Sequence, residues 1–170
     1  MIKDNVAGVL LEADKNVIPL VKLENTNEGG LKLVINNRSV NAMPQKVKVK
    51  VHYTSLNSII AAGAYIHCDS VINEDQLVLI ADHSRMKLLL KVNTLNATFT
   101  SGTMVFLSGS ALNASYQVIS NSSLEAKDLK TVNCSLTALE KSAVSLSETG
   151  SISKEISSDS KFVIVNPVIR

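Results

Sequence analysis

The chain has no tryptophan and only three tyrosines and three phenylalanines. Ligand pockets and protein hot spots lean on aromatic rings, so this scarcity ranks small-molecule enzymes and sugar-stacking modules low. There are two cysteines, Cys68 and Cys134, and neither belongs to a CxxC pair. They read as two buried free thiols in a reducing compartment rather than a disulfide framework. No stretch approaches the ~18 consecutive apolar residues of a membrane helix. The start, "MIKDNVAGVLLEADKN", lacks the basic opening and small-residue cleavage site of a signal peptide. We therefore expect a soluble chain with no membrane contact.

Charge of one sign is also scarce, with a net charge of only +2. Residues 1–50 hold eight basic and five acidic groups, and the excess equals Lys46, Lys48 and Lys50. A nucleic-acid domain normally spreads a basic face over several elements, which this chain does not. Catalytic signatures are missing as well. Neither phosphate-cradling glycine motif occurs, nor does G-x-S-x-G, and His52, His67 and His83 form no HExxH pair. No cofactor is expected.

What remains is an aliphatic chain of 170 residues, 45% apolar, patterned with a period of two. "NVIPLVKLE" and "LKLVIN" flank "NTNEGG", where Gly29 and Gly30 can supply a hairpin turn. "NRSVNAMPQ", with Pro44, reads as a polar loop. "QLVLIA" and "MKLLLKV" are joined by "DHSR", which reads as a four-residue hairpin loop. "ATFTSGTMVFLSG" reads as one strand bent at Gly102, and "ETG" and "SSDS" as tight turns. "SSLEAKDLK" reads as a short helix, because Ser122 and Glu125 match a capping box. About ten or more short strands with at most two short helices predict an all-β fold, an antiparallel β-sandwich or barrel. A single domain over 1–170 is expected, with 108–126 the loosest region and no internal repeat.

Two clusters stand out. "KVKVKVHYT" puts Lys46, Lys48, Lys50 and His52 on one strand face and the valines with Tyr53 on the other. A solvated face ranks first for these lysines, an acidic protein partner second and nucleic acid third. "HCDS" and "ADHS" offer His67, Cys68, Asp69, Asp82 and His83, a candidate zinc, calcium or nucleophile site. Alternation puts His67 and Asp69 on one face and Cys68 on the other, so strand ends capped by turn residues rank ahead of any metal.

"MIKDNVAGVLLEADKN", the Ser/Thr/Asn-rich "LNATFTSGTMVFLSGSALN" and the terminal "KFVIVNPVI" together resemble virion structural proteins of tailed phages, particularly small auxiliary or decoration proteins of the head. The resemblance implies a non-enzymatic, homo-oligomeric capsid component, bound to other virion subunits and assembled in the host cytoplasm. Two alternatives accompany it. One is a β-sandwich adhesion or receptor/glycan-binding module, and the other a metal-dependent enzyme built around His67 and His83.

Overall fold

The computed structural model describes residues 1–13, 15, 17–26, 30–35, 47–147 and 150–165, without the side chains of Ile35 and Asp69. The strands are β1 (Ile2–Lys3), β2 (Gly8–Glu12), β3 (Val21–Asn25), β4 (Leu31–Ile35), β5 (Lys48–Tyr53), β6 (Ser58–Ala62) and β7 (Tyr65–Asp82). They continue with β8 (Arg85–Thr100), β9 (Met104–Val118), β10 (Ser123–Ala138), β11 (Ala143–Ser147), β12 (Ser151–Ile156) and β13 (Lys161–Val165). One 3-10 turn, Ile18–Leu20, precedes β3.

From β6 onward every pairing is parallel. Tyr65 pairs with Arg85, Arg85 with Met104, Met104 with Ser123, Ser123 with Ala143, and Ala143 with Lys161. Each coil thus consumes 18 to 20 residues, and the whole is a parallel β-solenoid of about six turns. This overturns the antiparallel sandwich or barrel. Alternation reports only that one strand face is buried, which both topologies satisfy. A hairpin at "DHSR" would pair Gln76–Ala81 with Met86–Val92. Gln76–Ala81 instead lies against Thr94–Phe99, one full coil later.

The short polar segments turn the chain at one corner of each coil. His83, Ser101, Gly102, Ser120, Asn121, Glu140 and Lys141 all have φ between 48° and 72°. Left-handed conformation costs a non-glycine residue about 1–2 kcal/mol. Hydrogen bonds between successive turns offset it: Gly63 N–H reaches Asp82 O at 3.0 Å, Gly102 N–H reaches Ser120 O at 2.8 Å, and Asn121 N–H reaches Glu140 O at 2.8 Å. Directly after each turn stands a buried hydroxyl residue, Ser84, Thr103, Ser122 or Ser142. Ala64 N–H donates to Ser84 Oγ at 3.1 Å, and Ser84 N–H donates to Thr103 Oγ1 at 3.2 Å. Ser142 N–H donates to Ser160 Oγ at 3.1 Å. The corner therefore satisfies backbone donors that the bend removes from the ladder.

Inward side chains stack in columns. Leu77, Leu95, Ala114 and Cys134 form one, and Leu79, Ala97, Tyr116 and Leu136 another. Ala97 lies beside Tyr116, a small residue against a large one, as close packing requires. A second corner is marked where burial slips phase, at Asp75–Gln76, Asn93–Thr94, Leu112–Asn113 and Val132–Asn133. Gly109 (φ 103°) sits at a third bend. A Cβ there would overlap the Leu90 carbonyl oxygen of the preceding coil, so only glycine fits.

The expected helix at "SSLEAKDLK" is part of β10 instead. Ser122 is the corner hydroxyl, while Leu124, Ala126 and Leu129 point inward on either side of a bulge between Glu125 and Asp128. The bulge shifts the buried positions from even to odd, which imitates helical spacing. Residues 108–126 lie in β9, the following turn and the start of β10. The stretch 97–109 is not one bent strand: β8 ends at Thr100, Gly102 lies in the corner, and β9 begins the next coil at Met104. The coils themselves are an internal repeat, which the sequence reading lacks.

The first residues form smaller sheets. β5 runs antiparallel to β2 and parallel to β1, and β3 pairs with β4 as the expected hairpin. Gly29, the 36–46 segment with Pro44, the turn residues Glu148 and Thr149, and residues 166–170 lie outside the described residues. β1 ties the N-terminal sheet to the solenoid. The Met1 ammonium donates to His67 O at 3.0 Å, and Lys3 Nζ meets Glu74 Oε1 at 2.6 Å.

Candidate functional site

Lys48 and Lys50 of the lysine row belong to the separate N-terminal sheet of β1, β5 and β2. Lys46 lies outside the described residues. Lys48 and Lys50 are exposed on β5, Val49 and Val51 are half-buried, and Tyr53 is buried. Lys48 Nζ lies 3.4 Å from Glu12 Oε2, its cross-strand partner. His52 Nδ1 lies 3.0 Å from Asp4 Oδ2, a contact that holds the Asp4 carboxyl below its ordinary pKa.

In the histidine knot, His67 and Cys68 lie on opposite faces, while the Asp69 side chain is outside the described residues. Cys68 faces inward, its Sγ 3.0 Å from Met1 O and 3.2 Å from Ser70 O. His67 faces outward, while His83 is a left-handed corner residue. Asp82 accepts from the Thr100 hydroxyl at 3.0 Å, and hydrogen bonds from Ser101 and Thr100 lower its pKa. Among the described residues, no three His, Cys, Asp or Glu side chains gather where they could hold a metal ion. No helix among them is long and apolar enough to cross a membrane.

The solenoid sides present regular side-chain lattices, with rungs about 4.8 Å apart and alternate residues about 6.6–6.8 Å apart. One side is hydroxyl- and amide-rich. Asn96, Ser115, Ser135 and Ser153 line a shallow groove of about 430 Å3. Asn133 Nδ2 donates to Asn113 Oδ1 at 2.8 Å, and Ser151 Oγ donates to Asn133 Oδ1 at 2.9 Å. Asn113, Asn133 and Ser151 are thus engaged with one another.

Another side differs in chemistry. Register places Tyr65, Arg85 and Met104 in one outward column and His67, Lys87 and Phe106 in the next. Tyr65 is 64% exposed in a chain that buries Tyr53, Phe99 and Tyr116. Its ring lies parallel to that of His67, with centroids 6.3 Å apart and planes 7° apart. The Arg85 guanidinium sits 5.5 Å over the Phe106 ring, a cation–π contact that orients its donors. Strand-by-strand reading missed this cluster, because its members lie about 20 residues apart in sequence. Aligning "YIH", "RMK" and "MVF" on the corner that precedes each would reveal it.

No curated protein matches the chain. Solved structures share the fold. A "putative adhesin" from Bacteroides fragilis superposes with a TM-score of 0.78 at 17% identity, covering 97% of this chain and 85% of its own. A "putative adhesin" from Parabacteroides merdae gives 0.62 at 16% identity, with 96% and 88% covered. A "putative lipid binding protein" from Parabacteroides distasonis gives 0.54 at 13% identity, with 95% and 85% covered. A family model described as "putative auto-transporter adhesin, head GIN domain" matches residues 1–167. It overturns the expected phage relationship, and with it the capsid partners and the placement in a virion assembled in host cytoplasm. The Ser/Thr/Asn-rich strand texture behind that expectation marks any β scaffold with a polar exterior, so it does not separate a virion shell from an adhesin. Nearly the whole chain is covered by that match, and it belongs to this adhesin head-domain family.

Proposed function

We propose that the chain is a non-enzymatic binding module of adhesin type, displayed at a bacterial surface, with the outer sides of the solenoid as its contact surface. The observation that carries this reading is the adhesin family match over residues 1–167. The geometry supports it. Interior columns are apolar, the Ser84 and Thr103 hydroxyls accept backbone N–H groups, and Asn113, Asn133 and Ser151 at the groove bond one another. A rigid parallel ladder holds its outward groups at fixed spacing, so little ordering cost falls on binding.

Adherence of the fluorescently labelled chain to bacterial and epithelial cell layers tests the reading. Saturable binding, competed by unlabelled chain, is expected. Binding no greater than that of a charge-matched control protein would contradict it.

A further inference from the structure

Resting on the adhesin reading, we infer that the strip formed by Tyr65, His67, Arg85, Lys87, Met104 and Phe106 binds a linear acidic polysaccharide whose sugar rings carry carboxylates. In this strip a cationic row is flanked by aromatic and thioether rows. Arg85 and Lys87 occupy the middle coil, Tyr65 and His67 the preceding one, and Met104 and Phe106 the next. None of these six outward positions is acidic. The next coil places Glu125 in the Lys87 column, with Lys127 3.8 Å away, so the cationic stretch stops there.

Chemistry and size together select the ligand. A guanidinium is a planar fork that matches a carboxylate, and Arg85 is held in place by Phe106. Exposed rings beside it offer flat apolar faces to the C–H edges of a pyranose. Three rungs at about 4.8 Å and two columns at about 6.7 Å make a narrow strip. Its area is far below the roughly 800 Å2 per partner of a stable protein interface. It suits a few consecutive sugar residues, whose advance along a chain is close to the rung spacing. Nucleic acid would need a basic face spread over further elements, whereas 15 acidic residues nearly balance the 17 Lys and Arg of the chain.

Titration of the whole chain with polygalacturonate tests the inference. Methyl-esterified polygalacturonate, polyglutamate and phosphatidylglycerol vesicles serve as parallel probes. Polygalacturonate is expected to bind, more weakly at high ionic strength, and the three other probes at least about tenfold more weakly. Arg85→Gln/Lys87→Gln and, separately, Tyr65→Ala are expected to lower affinity about tenfold each, while the melting temperature stays unchanged. Equal binding of polyglutamate would show that charge alone is recognised, and would overturn the inference. Preferential binding of the vesicles, or unchanged affinity in both variants, would overturn it as well. Cell adherence that polygalacturonate does not compete would also overturn it, while leaving the adhesin reading intact. Polygalacturonate binding without adherence would do the reverse.

Discussion

The backbone N–H of Ser84 donates to the hydroxyl of Thr103, nineteen residues later and one coil further along, at 3.2 Å. Thr103 in turn donates to Ala81 O at 3.3 Å, so one buried hydroxyl links two coils at this corner. Thr103→Val preserves the shape and removes both bonds. It strands the Ser84 donor, and we expect a loss of about 1–3 kcal/mol in urea unfolding. Ser122 occupies the same corner one coil on, but its hydroxyl has no hydrogen-bond partner. Ser122→Ala should therefore leave stability unchanged or raise it by up to about 1 kcal/mol, as removal of an unpaired buried hydroxyl does. Equal effects at the two positions would contradict the corner account.

Gly109→Ala should be among the most damaging single changes. The added methyl would meet the Leu90 carbonyl oxygen, at a φ of 103° that alanine resists. A loss of about 3 kcal/mol or more is expected, whereas Gly8→Ala, with open space around it, should be tolerated. Thermal unfolding of the two variants side by side checks this.

Burial pushes the Cys134 thiol up to about 11 and the Tyr53 phenol up to about 12, and it raises the Tyr116 phenol as well. In each case the folded state holds the proton to higher pH than the unfolded chain. The associated stability is therefore complete below the unfolded pKa values, near 9 for the thiol, and is lost as pH rises from about 9 to 12. Flat stability from pH 6 to 8 followed by an alkaline decline is expected in urea titrations. Cys134 should likewise resist thiol reagents at neutral pH until the chain unfolds.

Tyr116→Phe addresses the same core from another direction. The Tyr116 hydroxyl is buried without a hydrogen-bond partner, and removing an unpaired buried polar group relieves its desolvation cost. The variant should be as stable as the parent or about 1 kcal/mol more so in chemical unfolding. A marked loss would mean that the hydroxyl is bonded.

The lysine strand gives a contrasting case. Lys48→Glu/Lys50→Glu replaces an exposed ion pair with Glu12 by a repulsion, a change worth about 1 kcal/mol or less. The fold should persist by circular dichroism. Adherence should also persist, because β5 belongs to the separate N-terminal sheet and not to the ladder of coils.

Much of the strand content was legible because inward–outward alternation survives in every coil, as in Met86, Leu88 and Leu90. The partner of each strand was not. "DHSR" and "SGT" have the polarity and length of hairpin loops, and their backbones bend to the left-handed region as hairpin turns also do. What distinguishes a solenoid is recurrence. A hydroxyl residue follows a left-handed position in "DHS", "SGT", "SNS" and "EKS", each 19 or 20 residues after the last, counted at Ser84, Thr103, Ser122 and Ser142. The period was hidden because bulges at His67–Val71 and Glu125–Asp128 alter coil length. The outer cluster was hidden for the same reason, since Tyr65, Arg85 and Phe106 become neighbours only once the coils are in register.

The central claim, that the solenoid sides are the contact surface of an adhesin, is most directly tested by adherence of variants that each alter one location. Arg85→Glu/Lys87→Glu changes the aromatic side, Asn96→Ala/Ser135→Ala the groove, and Lys48→Glu/Lys50→Glu the N-terminal sheet. With every variant confirmed as folded, we expect the first pair to abolish saturable adherence and the third to leave it intact. Adherence that survives both solenoid-side changes, or is lost only with the β5 lysines, would contradict the account.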